Sequence, residues 1–372
     1  MAYAFDICDA PVSCHAWTTY KGKNLLALCP GTSDIYVYEI GNDNKLPDAP
    51  KWILQEHTQL VTGLDWNPKQ DQGLRLVSCS QDRNAFVWTY DESRDLWKKQ
   101  LAVLRLERAA TSCCWNHAGD QFLVTCGQNK IRICTYNEVD HWWNSATFDT
   151  DKTSLVAYFF PDDERVLTAS TDRHCREVCI NEDKAPIKVD KKGKKTQNFV
   201  LHQWSCQGWN NACAISPSGE TIAFTSQDSF IRFVKMSDPD SKDIMKININ
   251  GLPLLSIAFL SETVLVGAGF DCFPRIFNFD GTKWVDLGSC DVEDTRQKVQ
   301  SKVSGLAAKA AAFGGAGTAK AAKTTNLHQN AILQICKRQA DFTTCGTDGR
   351  VAVWPFDKIK QYFSTKGATL AI

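Results

Sequence analysis

The sequence predicts an all-β protein, a β-propeller in which seven four-stranded sheets form a ring. Short runs rich in β-branched and aromatic residues recur along the chain, which favours strands over helices. A polar turn residue accompanies each recurrence, at Asp34, Asp82, Asn129, Asp172, Asp228, Asp271 and Asp348. Successive turn residues are 48, 47, 43, 56, 43 and 77 positions apart. These spacings centre on the period of roughly 40–45 residues that is typical of one propeller blade.

Each recurrence contains three strand-like runs, and the segment before the next copy supplies a fourth, outer strand. In the second copy the first run is VTGLDW from Val61, and the other two lie in LRLVSCSQDRNAFVWTY from Leu74. Four strands at this period are typical of the seven-bladed WD-repeat β-propeller. Length alone would suggest two or three domains of about 150 residues. The repeat instead predicts a single domain over residues 1–372.

The two ends of the repeat array predict how the ring closes. No strand-like run follows Trp354, and residues 357–364 are predicted to form a short helix. The seventh blade therefore lacks its outer strand unless residues 3–8 provide it. Such a pairing would couple the two ends of the chain and remove an exposed sheet edge.

Composition excludes several classes of function. Lys plus Arg and Asp plus Glu are each 42, so a protein that binds nucleic acid through its global charge is not expected. The sequence shows no apolar stretch long enough to span a membrane and no secretory signal, which favours the cytoplasm with most of the 16 cysteines as free thiols. Cysteines and histidines do not have metal-ligand spacing, and the glycine-rich run 314–320 fails the phosphate-loop pattern. We expect no metal and no cofactor.

Two copies carry a full set of polar residues that could link the turns within a blade. The second copy has His57, Ser78, Asp82 and Trp88, and the seventh has His328, Thr344, Asp348 and Trp354. The histidine, hydroxyl and carboxylate resemble a hydrolytic triad, but a triad that repeats with the fold period would be redundant. The chain also lacks the G-x-S-x-G turn that exposes a nucleophilic serine. We therefore predict a structural network of hydrogen bonds and no enzymatic activity.

Two segments interrupt the repeat. Residues 184–195 contain six lysines, and this run is either a solvated loop or a patch for an acidic partner. The larger interruption is an insert at about 291–326, between blades 6 and 7. Apolar residues at helical spacing predict an amphipathic helix over about 297–313. The candidate partner-binding residues of this helix are Lys298, Val299, Lys302, Val303, Leu306 and Phe313. The insert is either folded onto the propeller, a flexible linker, or a helix that enters a partner's groove.

Six motifs together resemble those of a known family. GLDWNP alone is common to WD repeats, whereas DRNAFVW and DCFPRIF followed by a long insert before LHQN are specific. The motifs are VSCHAW (12–17), EHTQLVTGLDWNP (56–68), DRNAFVW (82–88), LPLLSIAF (252–259), GFDCFPRIF (269–277) and LHQNAILQI (327–335). From about Pro11 to Trp354, the chain resembles the WD-repeat subunit of the actin-related protein 2/3 complex.

This resemblance implies a non-catalytic subunit of an assembly that nucleates branched actin filaments at the actin cytoskeleton. The implied partners are actin-related proteins 2 and 3, the smaller subunits, nucleation-promoting factors and the actin filament. By position, contact with the mother filament would fall on the insert helix around Val299 and Val303. The alternative is a propeller receptor, such as a ubiquitin-ligase substrate adaptor or a peptide reader. Neither Trp88 nor Trp354 begins the W-D-x-R box that many ligase adaptors carry.

Overall fold

The computed structural model describes residues 2–41, 44–69, 71, 73–150, 152–189, 195–197, 199–291 and 326–372. The first strand, β1 (Tyr3–Asp6), joins the last blade. Blade 1 has β2 (Cys14–Tyr20), β3 (Lys23–Cys29), β4 (Ile35–Ile40) and β5 (Trp52–Leu54). Blade 2 has β6 (Val61–Trp66), β7 (Arg75–Ser80), β8 (Ala85–Asp91) and β9 (Leu96–Ala102). Blade 3 has β10 (Ala110–Trp115), β11 (Gln121–Cys126), β12 (Lys130–Asn137) and β13 (Trp142–Asp149).

The second half of the chain continues this order. Blade 4 has β14 (Ser154–Phe159), β15 (Arg165–Ser170), β16 (His174–Cys179) and, after the hairpin β17 (Ile187–Val189) and β18 (Lys195–Gln197), β19 (Val200–Ser205). Blade 5 has β20 (Asn210–Ile215), β21 (Thr221–Ser226), β22 (Phe230–Lys235) and β23 (Met245–Asn248). Blade 6 has β24 (Leu254–Phe259), β25 (Val264–Gly269), β26 (Arg275–Phe279) and β27 (Trp284–Ser289). Blade 7 has β28 (Ile332–Lys337), β29 (Asp341–Gly346) and β30 (Arg350–Pro355), followed by helix α1 (Phe356–Thr365).

The blades form a ring of antiparallel sheets, which confirms the predicted seven-bladed, all-β propeller. Within each blade, neighbouring strands pair antiparallel from the inner strand outwards. The inner strands of all seven blades line one central channel of about 670 Å³. Blades 7 and 1 meet where the His15 backbone N–H donates to Gln334 Oε1 at 2.8 Å. The predicted insert, 291–326, lies almost wholly outside the described residues.

The outer strand of blade 7 comes from the other end of the chain. Strand β1 pairs antiparallel with β30, with Tyr3 opposite Val353 and Phe5 opposite Val351. Phe5 is buried against these valines, and Arg350 Nε donates to Asp6 Oδ1 at 2.6 Å. Beyond the strand, the Ile7 backbone N–H donates to Gly349 O at 3.0 Å. Apolar packing and backbone hydrogen bonds therefore hold the first and last strands together.

Helix α1 covers the apolar layer between blades 6 and 7. It buries Phe356, Ile359 and Phe363 against a cluster that includes Val264 and Trp354. The spacing of the three buried residues places them on one face of the helix. Within the described ranges, no helix has the length and apolar character needed to cross a membrane.

Alternating residues of a blade face its two neighbours, as the side-chain period of a strand requires. In blade 2, Leu76 and Trp88 pack towards blade 1. Val77 and Val87 pack towards blade 3, where they belong to the same cluster as Trp143. The hydrophobic core is therefore a set of separate layers between blades.

The outer strands of blades 2 and 3 touch and link their sheets. Trp143, near the start of β13, pairs in parallel with Ala102, at the end of β9. The Val103 backbone N–H donates to Trp143 O at 3.2 Å, and Ser145 Oγ donates to Val103 O at 2.8 Å. This contact joins the two blades into one eight-stranded sheet.

The lysine-rich run 184–195 is associated with an added hairpin rather than an ordinary blade connection. Strands β17 and β18 pair antiparallel, with Ile187 opposite Gln197. Lys184 precedes the hairpin and its Nζ lies 2.6 Å from Glu164 Oε1. Residues 190–194 lie outside the described residues, so whether the run binds an acidic partner stays a prediction.

Candidate functional site: the blade network and the central channel

In blade 2 the four predicted network residues contact one another. His57 Nδ1 lies 2.9 Å from Asp82 Oδ2, and His57 Nε2 lies 2.8 Å from Ser78 Oγ. The indole N–H of Trp88 donates to the same Ser78 oxygen at 2.9 Å. The Thr58 backbone N–H donates to Asp82 Oδ2 at 2.9 Å. The chain of hydrogen bonds therefore ties the loop before β6 to the turn between β7 and β8.

Blade 7 repeats this arrangement with a threonine in place of the serine. His328 Nδ1 lies 3.1 Å from Asp348 Oδ1, and His328 Nε2 lies 2.8 Å from Thr344 Oγ1. The indole N–H of Trp354 donates to Thr344 Oγ1 at 2.9 Å. The Gln329 backbone N–H donates to Asp348 at 2.8 Å. The same geometry at two places in the ring supports a structural role for the histidine, hydroxyl and carboxylate.

Burial and hydrogen bonding set the charges of the blade 2 network. Burial lowers the pKa of His57, and the carboxylate of Asp82 only partly opposes this effect. Burial also acts to raise the pKa of Asp82, but the backbone N–H groups of Thr58 and Asn84 and the nearby His57 outweigh it and lower the pKa overall. At neutral pH the pair therefore consists of a neutral imidazole and an ionised carboxylate.

The two hydroxyl groups are poorly placed for chemistry on a substrate. Ser78 and Thr344 are both fully buried. Each oxygen already contacts a histidine and accepts a hydrogen bond from a tryptophan. A nucleophile must be reachable by the bond it attacks, and neither oxygen is.

Blades 4, 5 and 6 stabilise the same turn with an arginine, which the sequence analysis missed. Each turn aspartate pairs with an arginine four residues later on the third strand. Arg232 Nη2 lies 2.6 Å from Asp228 Oδ2, and Arg275 Nη2 lies 3.4 Å from Asp271 Oδ2. The three pairs are Asp172–Arg176, Asp228–Arg232 and Asp271–Arg275. The signal in the sequence was D-x-x-x-R, repeated in three consecutive copies.

The central channel contains one half-buried carboxyl group with an unusual pKa. Asp65, on β6, accepts a hydrogen bond from the Trp115 backbone N–H of blade 3 at 2.7 Å. Burial raises the pKa of Asp65 to about 7, although the N–H groups of Trp115 and Trp66 oppose the shift. Among the described residues, no group of three or more His, Cys, Asp or Glu side chains could hold a metal ion.

Replacing Asp65 with asparagine is expected to make stability less dependent on pH. A carboxyl group whose pKa is higher in the folded than in the unfolded state costs stability as pH rises from the unfolded value, 3.8, to about 7. The variant keeps an acceptor for the Trp115 N–H and removes that cost. Because Asp65 is only half-buried, we expect a gain on the order of 1–2 kcal/mol at pH 8 relative to pH 5. Urea unfolding at both pH values measures it.

Asp228→Asn is the control, because folding shifts the pKa of Asp228 in the opposite direction from that of Asp65. Burial acts to raise the pKa of Asp228, but hydrogen bonds from Arg232 and Ser226 lower it to about 2. Its contribution to stability is therefore lost only as pH falls below about 4, towards 2. If the free energy of unfolding changed equally between pH 5 and 8 in the Asp65 variant and the unmodified protein, the raised pKa of Asp65 would be contradicted.

The partner-binding role of the insert helix stays a prediction. Lys298, Val299, Lys302, Val303, Leu306 and Phe313 lie outside the described residues. The described chain before the insert ends at Asp291, whose carboxylate accepts a hydrogen bond from the Leu327 backbone N–H at 2.8 Å. The two ends of the insert therefore meet between blades 6 and 7.

Comparison with known proteins first defines the class. Residues 49–89, which include the blade 2 network, match the family model described as WD domain, G-beta repeat. Together with the ring of seven sheets, this match identifies a WD-repeat β-propeller.

Curated relatives then show a more specific similarity, which extends over most of the chain. The chain is 29% identical over 372 residues to actin-related protein 2/3 complex subunit 1A-A of Xenopus laevis, covering 95% of this chain and 96% of that protein. It is 28% identical to subunit 1B of Arabidopsis thaliana over 94% of this chain and 95% of that protein. Subunit 1 of Schizosaccharomyces pombe is 28% identical over 80% of this chain and 86% of its own length. Over nearly its whole length the chain is therefore similar to proteins named as subunit 1 of the actin-related protein 2/3 complex.

Proposed function

We propose that the protein is a non-catalytic structural subunit of an actin-related protein 2/3 complex. The observation that carries this proposal is the extent of the similarity, which includes 95% of this chain and 96% of the Xenopus relative. The relative is named as a subunit of that complex. Similarity over all seven blades favours a shared role of the whole ring over a shared repeat alone.

The structure supports a role in binding rather than in turnover. The candidate triads are buried and hydrogen-bonded within their blades. The ring, closed by the pairing of the first and last strands, presents several faces and edges on which partners can dock. Propellers of this kind supply rigid surfaces, and the attached loops determine specificity. The finer proposal is that the protein acts in the cytoplasm at the actin cytoskeleton, where its partners include actin-related proteins 2 and 3, the smaller subunits, nucleation-promoting factors and the filament.

Purification of the protein from its native source tests the proposal. We expect it to be recovered with two actin-related proteins and several smaller chains, identified by mass spectrometry, in one particle on gel filtration. Recovery as a lone chain of 41.6 kDa would contradict it. Recovery with ubiquitin-ligase or chromatin components would instead favour the alternative of a propeller receptor.

Two aspartates in the insert are expected to weaken attachment to an existing filament. The variant combines Val299→Asp with Val303→Asp. Both substitutions place a carboxylate on the apolar face of the predicted insert helix, so binding in a partner's groove would bury two charges. Burial of two incompletely hydrated charges should cost about 2–4 kcal/mol. The complex should still assemble, because the substitutions lie between blades 6 and 7 and not within a blade. Branch density in a reconstituted actin assay measures the effect.

Val139→Asp is the control, because this valine is 88% exposed in the turn between β12 and β13. It introduces the same type of charge on the described surface and should leave branch density unchanged. Unchanged branch density in the doubly substituted insert variant would remove the insert from the filament contact. Failure of that variant to enter the complex would assign the stripe to subunit assembly instead.

A further inference from the structure

The inner strands of blades 2 to 7 each carry a β-bulge, and the extra residue of each bulge lines the central channel. The strand register shifts after the first residue of each of these inner strands. In blades 2, 3 and 5 the extra residue is polar, and its side chain donates a hydrogen bond to a backbone oxygen of the next blade. In blades 4, 6 and 7 it is a leucine, so this level of the channel wall is partly apolar. The six half-buried residues are Thr62, Thr111, Asn211, Leu155, Leu255 and Leu333.

A carboxyl group without a cationic partner lies deeper in the channel. Among the described residues that line the channel, only Asp65 has a carboxyl group. It follows the bulge of its strand by three residues, which places it about 10 Å further along the strand. Its hydrogen-bond donors are the backbone N–H groups of Trp115 and Trp66, and it forms no ion pair within the described ranges. Burial therefore removes water from this carboxylate, and no cation replaces that water.

The hydroxyl of Tyr158 is a second polar group of the channel that is free to bind a ligand. Tyr158 occupies the position in the inner strand of blade 4 that Asp65 occupies in blade 2. Burial raises the pKa of this phenol, and the nearby charge of Asp65 adds to the increase. Its hydroxyl has no hydrogen-bond partner in the described part of the chain. Because a phenol oxygen can accept hydrogen bonds, both side chains offer acceptors to a donor inside the channel.

We propose that the central channel binds a primary ammonium group at the end of a short, unbranched apolar chain. The ammonium pairs with Asp65 and donates to the Tyr158 hydroxyl, which compensates the carboxylate for the water that burial removes. The methylene groups of the ligand lie against Leu155, Leu255 and Leu333. Free alkylamines and lysine side chains of a partner protein share this chemistry. The inference does not rest on the proposed function, because the site requires only the closed ring.

The other titratable groups around Asp65 leave its own protonation as the step that opposes binding. Burial raises the pKa of four nearby thiols and of the phenol, and it lowers the pKa of His15 to about 3, so these groups are neutral at pH 7. They belong to Cys14, Cys113, Cys114, Cys336 and Tyr158, and the thiols of Cys79 and Cys213 lie in the same region. At the rim, His117 Nδ1 lies 2.9 Å from Asp163 Oδ1, and the side chain of Lys337 is exposed.

Isothermal titration calorimetry of hexylamine with the full-length protein at pH 8 tests the proposal. We expect saturable binding that is at least about tenfold weaker in Asp65→Asn, which keeps the shape of the side chain but not its charge. Unfolding would not explain this loss, because the variant is expected to be the more stable protein at pH 8. In the unmodified protein, affinity should fall about tenfold from pH 8 to pH 6, since Asp65 must be ionised to pair with the ammonium.

Asp341→Asn is the matched control. Burial also raises the pKa of Asp341, but this residue lies on β29 outside the channel lining, and it pairs with Arg338. Affinity for hexylamine should stay within about twofold of the unmodified protein.

Leu255→Asn tests the apolar wall of the channel. It introduces in blade 6 the residue type that blade 5 carries at the same position, Asn211. Because it removes apolar surface, it should weaken binding of hexylamine more than binding of propylamine. A capped peptide with one lysine between glycines identifies the source of the ammonium. Binding of this peptide would assign the site to a lysine of a partner, and binding of hexylamine alone would assign it to a free amine.

Three results would overturn the proposal. The first is no saturable binding of either hexylamine or the lysine peptide up to about 10 mM. The second is equal weakening by Asp65→Asn and Asp341→Asn, or equal binding of hexanol, because the carboxylate would then not recognise the ligand. The third is equal affinity for hexylamine at pH 6 and pH 8 in the unmodified protein.

Discussion

Gly349→Ala is expected to disrupt the contact that closes the ring and to lower the free energy of unfolding by about 3 kcal/mol or more. Gly349 lies in the turn before β30 with φ +73°, a left-handed conformation that glycine adopts freely and L-residues adopt only at a cost in free energy. A methyl group there would collide with the backbone oxygen of Cys8 and would lie 2.9 Å from the oxygen of Ala10. Since backbone cannot move aside as a flexible side chain can, the segment after β1 must shift. Chemical denaturation measures the loss.

Gly22→Ala separates the collision from the backbone strain. Gly22 has φ +77° in the turn between β2 and β3, and a methyl group there would have no atom within 4 Å. This control should cost only about 1–2 kcal/mol, the strain of a left-handed conformation. Equal losses in the two variants would mean that the contact of residues 8–10 with the last blade adds nothing to stability.

Thr344→Val is expected to destabilise the protein by about 2–4 kcal/mol, because it leaves two buried groups without their shared partner. The valine preserves the shape of the threonine but not its oxygen. That oxygen contacts His328 Nε2 and accepts a hydrogen bond from Trp354 Nε1. All three residues are fully buried, so water cannot replace the lost contacts without opening the blade. Thermal unfolding followed by circular dichroism measures the change.

Thr168→Val is the matched control in blade 4. Thr168 occupies the same position on the second strand and is fully buried, but its hydroxyl makes only a 3.5 Å contact with the backbone oxygen of Arg176. The same change of side chain should therefore cost less than about 1 kcal/mol. If both variants lost the same stability, removal of the threonine hydroxyl itself, rather than the network, would explain the effect.

The repeat period was enough to predict the ring, because each repeat has the length of four short strands and their turns, which is one propeller blade. The two complete networks were also visible, since His57 and His328 stand at the same distance from the first strand of their copies. In blade 1 the corresponding turn differs, with the Gln55 side chain donating to Asp34 at 3.0 Å. Blades 4 to 6 were harder to interpret because their arginines lie on a strand, where a charged residue is usually taken to face solvent.

Other features depend on relations between blades that a repeat does not encode. The bridge between Ala102 and Trp143 requires the end of one outer strand to meet the start of the next, and this stagger follows from the twist and tilt of two separate sheets. The raised pKa of Asp65 likewise depends on its surroundings in the central channel, to which blade 3 contributes the Trp115 N–H. The period predicts how many blades there are, but it does not predict how neighbouring blades touch.

The pairing of β1 with β30 has a consequence for synthesis of the protein. Asp6 and Arg350, which contact each other, are separated by 344 positions, so the ribosome completes Tyr3–Asp6 long before the strand that it pairs with. Blades 1 to 6 contain only consecutive segments and can form in order as the chain emerges. Throughout that time the first strand has no partner, and a chaperone that shields extended apolar segments would protect it until translation has passed blade 7.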